Sequence, residues 1–261
     1  MNLPRIEQPT YEVKLLSRDQ PVKYRPFLVK EQKIMMMAVE AKEVETTLRA
    51  IKQIITNCLI SPINVDDLPL ADLETMFLNL RARSMGEVIS LYFKCTNMVD
   101  YIPAPNTAMS HTIDVMGNVV KPQIQCGMVI EVPVNLITDV KQTNTGIDKK
   151  IMVSDDIGVI MKYPSLEMVD KLLKANDSQV MYTVVASCLD TIFDKESVWK
   201  ANDATTEELI DFVEHLPGDK FDLLTNFIDN IPKSKFETKK KCPKCHYEHD
   251  FVLEGLSDFF T

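Results

Sequence analysis

Glycine is scarce in this chain, with seven among 261 residues. Neither GxGxxG nor GxxxxGK[ST] occurs, so no known loop cradles a nucleotide phosphate. A GxSxG nucleophile elbow and an HExxH metalloprotease pair are missing as well. The histidines are His111, His215, His246 and His249, and none stands in a recognisable catalytic setting. No apolar run approaches the roughly 20 residues that span a bilayer, so a membrane partner is not expected. The opening "MNLPRIEQPTYEVKLL" lacks the apolar core of a signal peptide, and no export is expected. Without export, the six cysteines read as thiols or metal ligands rather than as a disulfide framework. Basic excess is lacking too: 29 basic against 38 acidic residues give a net charge of −9, which disfavours nucleic acid as a partner.

Apolar residues at 45% are ordinary for a folded protein, and the length allows a sizeable core in modest domains. "TYEVKLLSRDQPVKYRPF" reads as two alternating stretches around a polar turn. Helical spacing follows from about 30 to 59, with the "MMM" of 35–37 read as core filler. A second helix starts near Pro69 and buries Leu73, Met76, Phe77 and Leu80. Beyond Gly86 the period changes to two, giving a strand that ends on Cys95. Residues 96–125 lose any period and read as an excursion, with a small hairpin near "MGN". A strand resumes at Cys126, and two more are expected near 149–153 and 157–163. Helices are expected at 165–176, 177–193, 205–216 and 218–231, with Trp199 in a connector and a capping box at Thr205 and Glu208. "KFETKKKC" and "EHDFVLEG" form a closing hairpin.

The fold expected is α+β. It comprises an N-terminal β-hairpin with helices (1–85), a β-rich module (86–163) containing the excursion 96–125, a helical module (164–232) and a CxxC hairpin (233–261) that returns to the β module. Those β strands would form a small antiparallel, zinc-ribbon-like unit.

The reason is a short internal echo. "YFKC" with "CGMVIEVPV" resembles "KKKC" with "CHYEHDFVL". Glu131 stands five residues after Cys126, and Asp250 five after Cys245; Val132 and Val134 match Phe251 and Leu253. A zinc ribbon is built from two such knuckles, each giving two thiolates to a tetrahedral ion. Cys95, Cys126, Cys242 and Cys245 are therefore the candidate ligands of a structural zinc. Alternatives remain at this point. His246 or His249 could replace a cysteine, and the four thiols could be reduced and unliganded. CxxCH is also the haem c attachment pattern, which requires export. Cys58 and Cys188 lie on apolar helix faces and read as core.

The lysines of "KSKFETKKKCPKC" read as a solvated edge, and they would offset the net negative charge of a tetrathiolate zinc. A hydrolase would need convergent acid and base groups; the pair Asp155 and Asp156 reads as a turn. The expectation is a non-enzyme. A zinc-ribbon adaptor binding nucleic acid or a polymerase is the alternative.

Three runs carry a resemblance: "LPRIEQPTYEVKLLSRDQPVKYRPFLVKEQKIMMMAVE", "DDIGVIMKYP" and "HDFVLEGLSDFF". Together they resemble the baseplate hub proteins of large contractile-tailed phages of the T-even type. Members of that family often carry an unbroken CxxC where this chain leaves Cys95 followed by the excursion. The resemblance implies a structural or assembly role in the tail hub, with spike, tape-measure or tube components as partners. It places the chain in the host cytoplasm during assembly and leaves open whether it stays in the finished virion. The rings of "GLSDFF" either pack back on the hairpin or anchor a partner.

Overall fold

In a computed structural model, the structure describes residues 6–41, 43–100, 112–113, 119–120, 123–143, 146–165, 168 and 180–259. The fold is mixed helix and antiparallel sheet, as expected, and its apolar side chains gather in three clusters.

The first cluster is N-terminal. Strands β1 (Tyr11–Val13) and β2 (Val22–Tyr24) pair as the expected hairpin, shorter than the alternation suggested. Helix α1 (Val29–Ala41) and helix α2 (Val44–Cys58) replace the single long helix read over 30–59. Glu43 is extended at the start of α2, with φ −105° and ψ 126°. Its carbonyl accepts from Thr47 N and its carboxylate from Thr46 Oγ1. The break lets both helices fold onto the hairpin around Tyr24, Ile51, Ile54 and Ile55. Of the methionine triplet, only Met35 packs on this cluster; Met36 and Met37 are exposed, against the core reading.

Helix α3 (Leu70–Met85) begins after Pro69 and stops at Gly86, whose φ of +109° suits glycine. Leu73, Met76, Phe77 and Leu80 face the first cluster, as the spacing indicates. Leu78 and Ala82 on its other side face the second cluster. The helix is thus sandwiched, and its buried acids serve as ties. Asp72 accepts from Leu16 N (2.7 Å) and Ser17 N (3.0 Å), which anchors the hairpin. Glu74 accepts from Ser234 N (2.7 Å).

The second cluster lies between two ribbons. Strand β3 (Val88–Lys94) pairs with β8 (Val129–Asn135), and β14 (Ser234–Lys241) pairs with β15 (Glu248–Glu254). The short β9 (Lys141–Gln142) joins the β14 edge. Between β3 and β8 the chain forms β4 (Met98–Asp100) with β7 (Gln123–Gln125), and β5 (Thr112–Ile113) with β6 (Val119–Val120). The excursion therefore carries ladder pairs, and the last of these flanks "MGN", which itself lies outside the described residues.

The third cluster corrects the sheet assignment. Strands β10 (Lys150–Met152) and β11 (Gly158–Met161) do not pair with the ribbons. They join β12 (Leu189–Phe193) and β13 (Val198–Lys200) in a four-stranded antiparallel sheet of order β10-β11-β12-β13. Helices α4 (Val180–Ser187), α5 (Thr206–Glu214) and α6 (Gly218–Asp229) pack with it. The region read as purely helical thus holds two strands. The helix expected over 177–193 ends at Ser187, and "LDTIF" becomes β12. Trp199 lies exposed on edge strand β13 rather than in a packed connector. The capping box at Thr205 and Glu208 is present. The helix expected over 165–176 falls almost wholly outside the described residues. Cys58 and Cys188 are fully buried core residues of the first and third clusters.

Candidate metal centre

The two ribbons are copies of one another. In the first, seven residue pairs run from Val88↔Asn135 to Lys94↔Val129. In the second, seven run from Lys235↔Glu254 to Lys241↔Glu248. A cysteine, Cys95 or Cys242, directly follows the last pair of each ladder, and each turn closes by the same hydrogen bonds. Cys95 N donates to Met128 O (2.8 Å) and Gly127 N to Cys95 O (3.0 Å); Cys242 N donates to Tyr247 O (2.8 Å) and His246 N to Cys242 O (2.9 Å). The residue after the second cysteine is left-handed in both, Gly127 at φ +65° and His246 at φ +58°. Even the open ends agree, through Leu136 N to Glu87 O (2.8 Å) and Gly255 N to Ser234 O (2.9 Å). Asn97 therefore corresponds to Lys244, and the 28 residues Met98–Gln125 are inserted inside the first knuckle. Cys126 N donates to Asn97 O (2.8 Å), which closes the knuckle across the insertion.

The ribbons face one another through Leu91, Ile130, Val132 and Val134 on one side and Phe236, Phe251 and Leu253 on the other. Phe93 and Phe251 meet at 4.6 Å between ring centroids next to the knuckles. This packing brings Cys95, Cys126, Cys242 and Cys245 together, with all four sulfurs within 4.8 Å of one another. Cys95 Sγ lies 3.6 Å from Cys245 Sγ, and Cys126 Sγ 3.7 Å from Cys242 Sγ. A tetrahedral ion with Zn–S bonds of roughly 2.3 Å sets its sulfurs about 3.8 Å apart, so the donor set fits zinc in identity, number and spacing. Cys95, Cys126 and Cys242 are buried and Cys245 is partly exposed.

Neither histidine belongs to the mutually close group. His246 is exposed and serves the turn. His249 Nε2 sits 3.1 Å from Cys95 Sγ, and Asn97 Nδ2 sits 3.6 Å from Cys245 Sγ. Spacing alone singled out His249 only as a possible ligand and gave no signal for Asn97.

The thiols are not equivalent. Burial pushes Cys95 up to about 12, while the Tyr247 backbone N–H leads the effects that bring Cys245 down to about 6. Without a metal, a Cys245 thiolate would stand beside a protonated Cys95 at neutral pH. A metal that binds here must displace the Cys95 proton.

Other candidate residues have structural duties. The turn of Asp155 and Asp156 is closed by Ser154 Oγ accepting from Asp156 N and Ile157 N, and Asp156 pairs with Lys195. Lys233, Lys235 and Lys239 pair with Glu254, Glu237 and Asp250. Phe259 is buried in the second cluster, and its carbonyl accepts from Arg81 Nη1 (2.6 Å). Among the described residues, no helix is long and apolar enough to cross a membrane.

No curated protein and no solved structure matches the chain. One family model does, over residues 8–261, a span that takes in all three clusters and both knuckles. The chain belongs to the T4 bacteriophage base plate protein family, and its role is that of a structural protein of the phage baseplate.

Proposed function

We propose that the protein is a non-enzymatic structural or assembly component of the central hub of the baseplate, acting through contacts with other tail proteins. In this reading the duplicated ribbons are a zinc ribbon, and Cys95, Cys126, Cys242 and Cys245 hold one structural zinc. The ion joins two segments far apart in sequence, so its binding free energy becomes folding free energy. The observation that carries the role is the reach of the family match, which leaves no cluster outside it. Support for the ion comes from sulfur spacings near those of a tetrahedral tetrathiolate. The hub itself, with spike, tape-measure or tube proteins as partners, rests on the terminal runs quoted above.

Affinity purification from infected cells, beside proteomics of finished particles, tests the role. Tail components are expected as co-purifying partners, and recovery with polymerase or ribosomes would overturn it. Elemental analysis tests the ion, with one zinc per chain expected. An adaptor that binds nucleic acid is the second reading. It would draw on Lys240, Lys241 and Lys244 and would show salt-sensitive DNA retention.

A further inference from the structure

The internal duplication isolates two side chains that break it. In the first ribbon, the position equivalent to His249 is Ile130, a core residue of the cluster that also contains Cys242. Packing at this register position is thus met by an aliphatic side chain in one copy. In the other copy a histidine stands there and brings Nε2 to 3.1 Å from Cys95 Sγ. The equivalent of Asn97 is Lys244, at an exposed turn position, yet Asn97 is half-buried and brings Nδ2 to 3.6 Å from Cys245 Sγ.

The two contacts are reciprocal. His249 belongs to the second ribbon and reaches a sulfur of the first knuckle. Asn97 belongs to the first knuckle and reaches a sulfur of the second. Both reach the same edge of the cluster, the Cys95–Cys245 edge, where the partly exposed sulfur lies. The opposite edge, Cys126 and Cys242, is buried, and no side-chain N–H is recorded on either of its sulfurs among the described residues. Four thiolates around a divalent ion leave two net negative charges, and Cys245, the one partly exposed sulfur of the four, is where protons, oxidants and chelators arrive. An N–H donated to a metal thiolate withdraws charge from sulfur and fixes its direction. The ring of His249 is itself held, with Tyr247 edge-on at 4.8 Å and Phe251 at 5.8 Å.

We propose that His249 and Asn97 are positioning residues of the zinc centre, donating Nε2–H to the Cys95 thiolate and Nδ2–H to the Cys245 thiolate, and that they guard the exposed edge of the cluster against metal loss. This rests on the zinc reading above. His249 acts as an N–H donor to sulfur and is not a ligand.

The test uses the full chain with His249→Ile, His249→Gln and Asn97→Ala. Isoleucine copies the other ribbon and so preserves packing. Zinc transfer to excess EDTA is expected to be about tenfold faster in His249→Ile and Asn97→Ala, as for other lost partners of metal ligands. His249→Gln, which keeps an N–H, is expected to recover most of the difference. With cobalt(II) in place of zinc, the sulfur-to-cobalt charge-transfer bands should move to lower energy in His249→Ile, with the ligand-field bands still those of four sulfurs. Transfer rates and spectra equal to wild type in both donor-free variants would overturn the proposal while leaving the zinc reading intact. So would a wild-type cobalt spectrum of three sulfurs and one nitrogen, which would make His249 a ligand. A wild-type protein that binds neither metal would overturn the zinc reading and this proposal together. Should His249→Ile fail to fold, the half-buried turn variant Asn97→Ala decides by the same two readouts.

Discussion

Gly127 and His246 hold the same place in two copies of one turn, yet only one is glycine. A left-handed backbone costs a side-chain-bearing residue roughly 1–2 kcal/mol, and glycine almost nothing. His246→Gly should therefore stabilise the protein by about 1 kcal/mol in urea unfolding, and Gly127→His should destabilise it by a similar amount. A Cβ at Gly127 meets nothing closer than 3.8 Å, so conformation rather than crowding sets the sign. Glu31 offers a second test. It is fully buried and accepts from Leu28 N (2.8 Å) and Arg25 Nη2 (3.2 Å), with Lys30 Nζ at 3.4 Å. Burial works to raise its carboxyl, but the Arg25 and Leu28 hydrogen bonds and the two positive charges outweigh it and hold the group low. A depressed carboxyl contributes stability above its unfolded value, near pH ~4.3, and loses it as pH falls through the lower folded value. Glu31→Gln should cost about 1–3 kcal/mol at pH 7. Its stability should also fall less than that of wild type between pH 5 and pH 3, measured by urea unfolding at each pH.

Among the elements, α3 carries the most. Its stripe Leu73, Met76, Phe77 and Leu80 was legible, because apolar spacing along a helix needs no partner to be read. Its second face was not. Asp72 and Glu74 look like solvent positions, and become buried only because the hairpin and β14 close over them and supply N–H groups. Asp72→Ala should remove both hydrogen bonds to the Leu16 and Ser17 amides, which lie on exposed residues that water can reach, and cost about 1–3 kcal/mol in total, with an unchanged urea m value. Strand β12 was missed for a related reason. "MYTVVASCLDTIF" is apolar enough to continue a helical count, and its division at Cys188 is decided by the ladder that β11 offers to Thr191 and Ile192. The break before α2 has no glycine or proline to announce it; the extended Glu43 is held by Thr46 and Thr47 once both helices pack on the hairpin.

At the scale of the molecule, the first knuckle holds a long insertion without losing its geometry. The Cys126 amide lies a hydrogen bond from the Asn97 carbonyl, and the ladder on the ribbon side matches that of the uninterrupted copy. Deleting 98–125 and joining Asn97 to Cys126 should therefore leave a folded chain with an ordinary CxxC. Elemental analysis should still find one zinc, and the melting temperature should move by only a few degrees, the scale of a ~1 kcal/mol change. Loss of the metal or collapse of the fold in that variant would mean that the insertion, and not the duplicated turn, shapes the site. On the zinc reading proposed above, chelation of wild type should act on the second cluster, because the ion would join the ribbons there. Hydrogen exchange should rise in β3, β8, β14 and β15, with the β10–β13 sheet affected least.

By itself the sequence determined which residues could bind a soft metal, that the two cysteine segments echo one another, and where most helices and ribbon strands run. Those properties are local: ligand chemistry, period and cap travel with the residues that carry them. Only the tertiary structure decided that 150–161 joins β12 rather than the ribbons, that α3 serves two clusters, and that His249 and Asn97 reach across to the opposite knuckle. Strand partners, second helix faces and outer donors depend on surfaces brought together from distant parts of the chain, and no spacing along a single segment records that meeting.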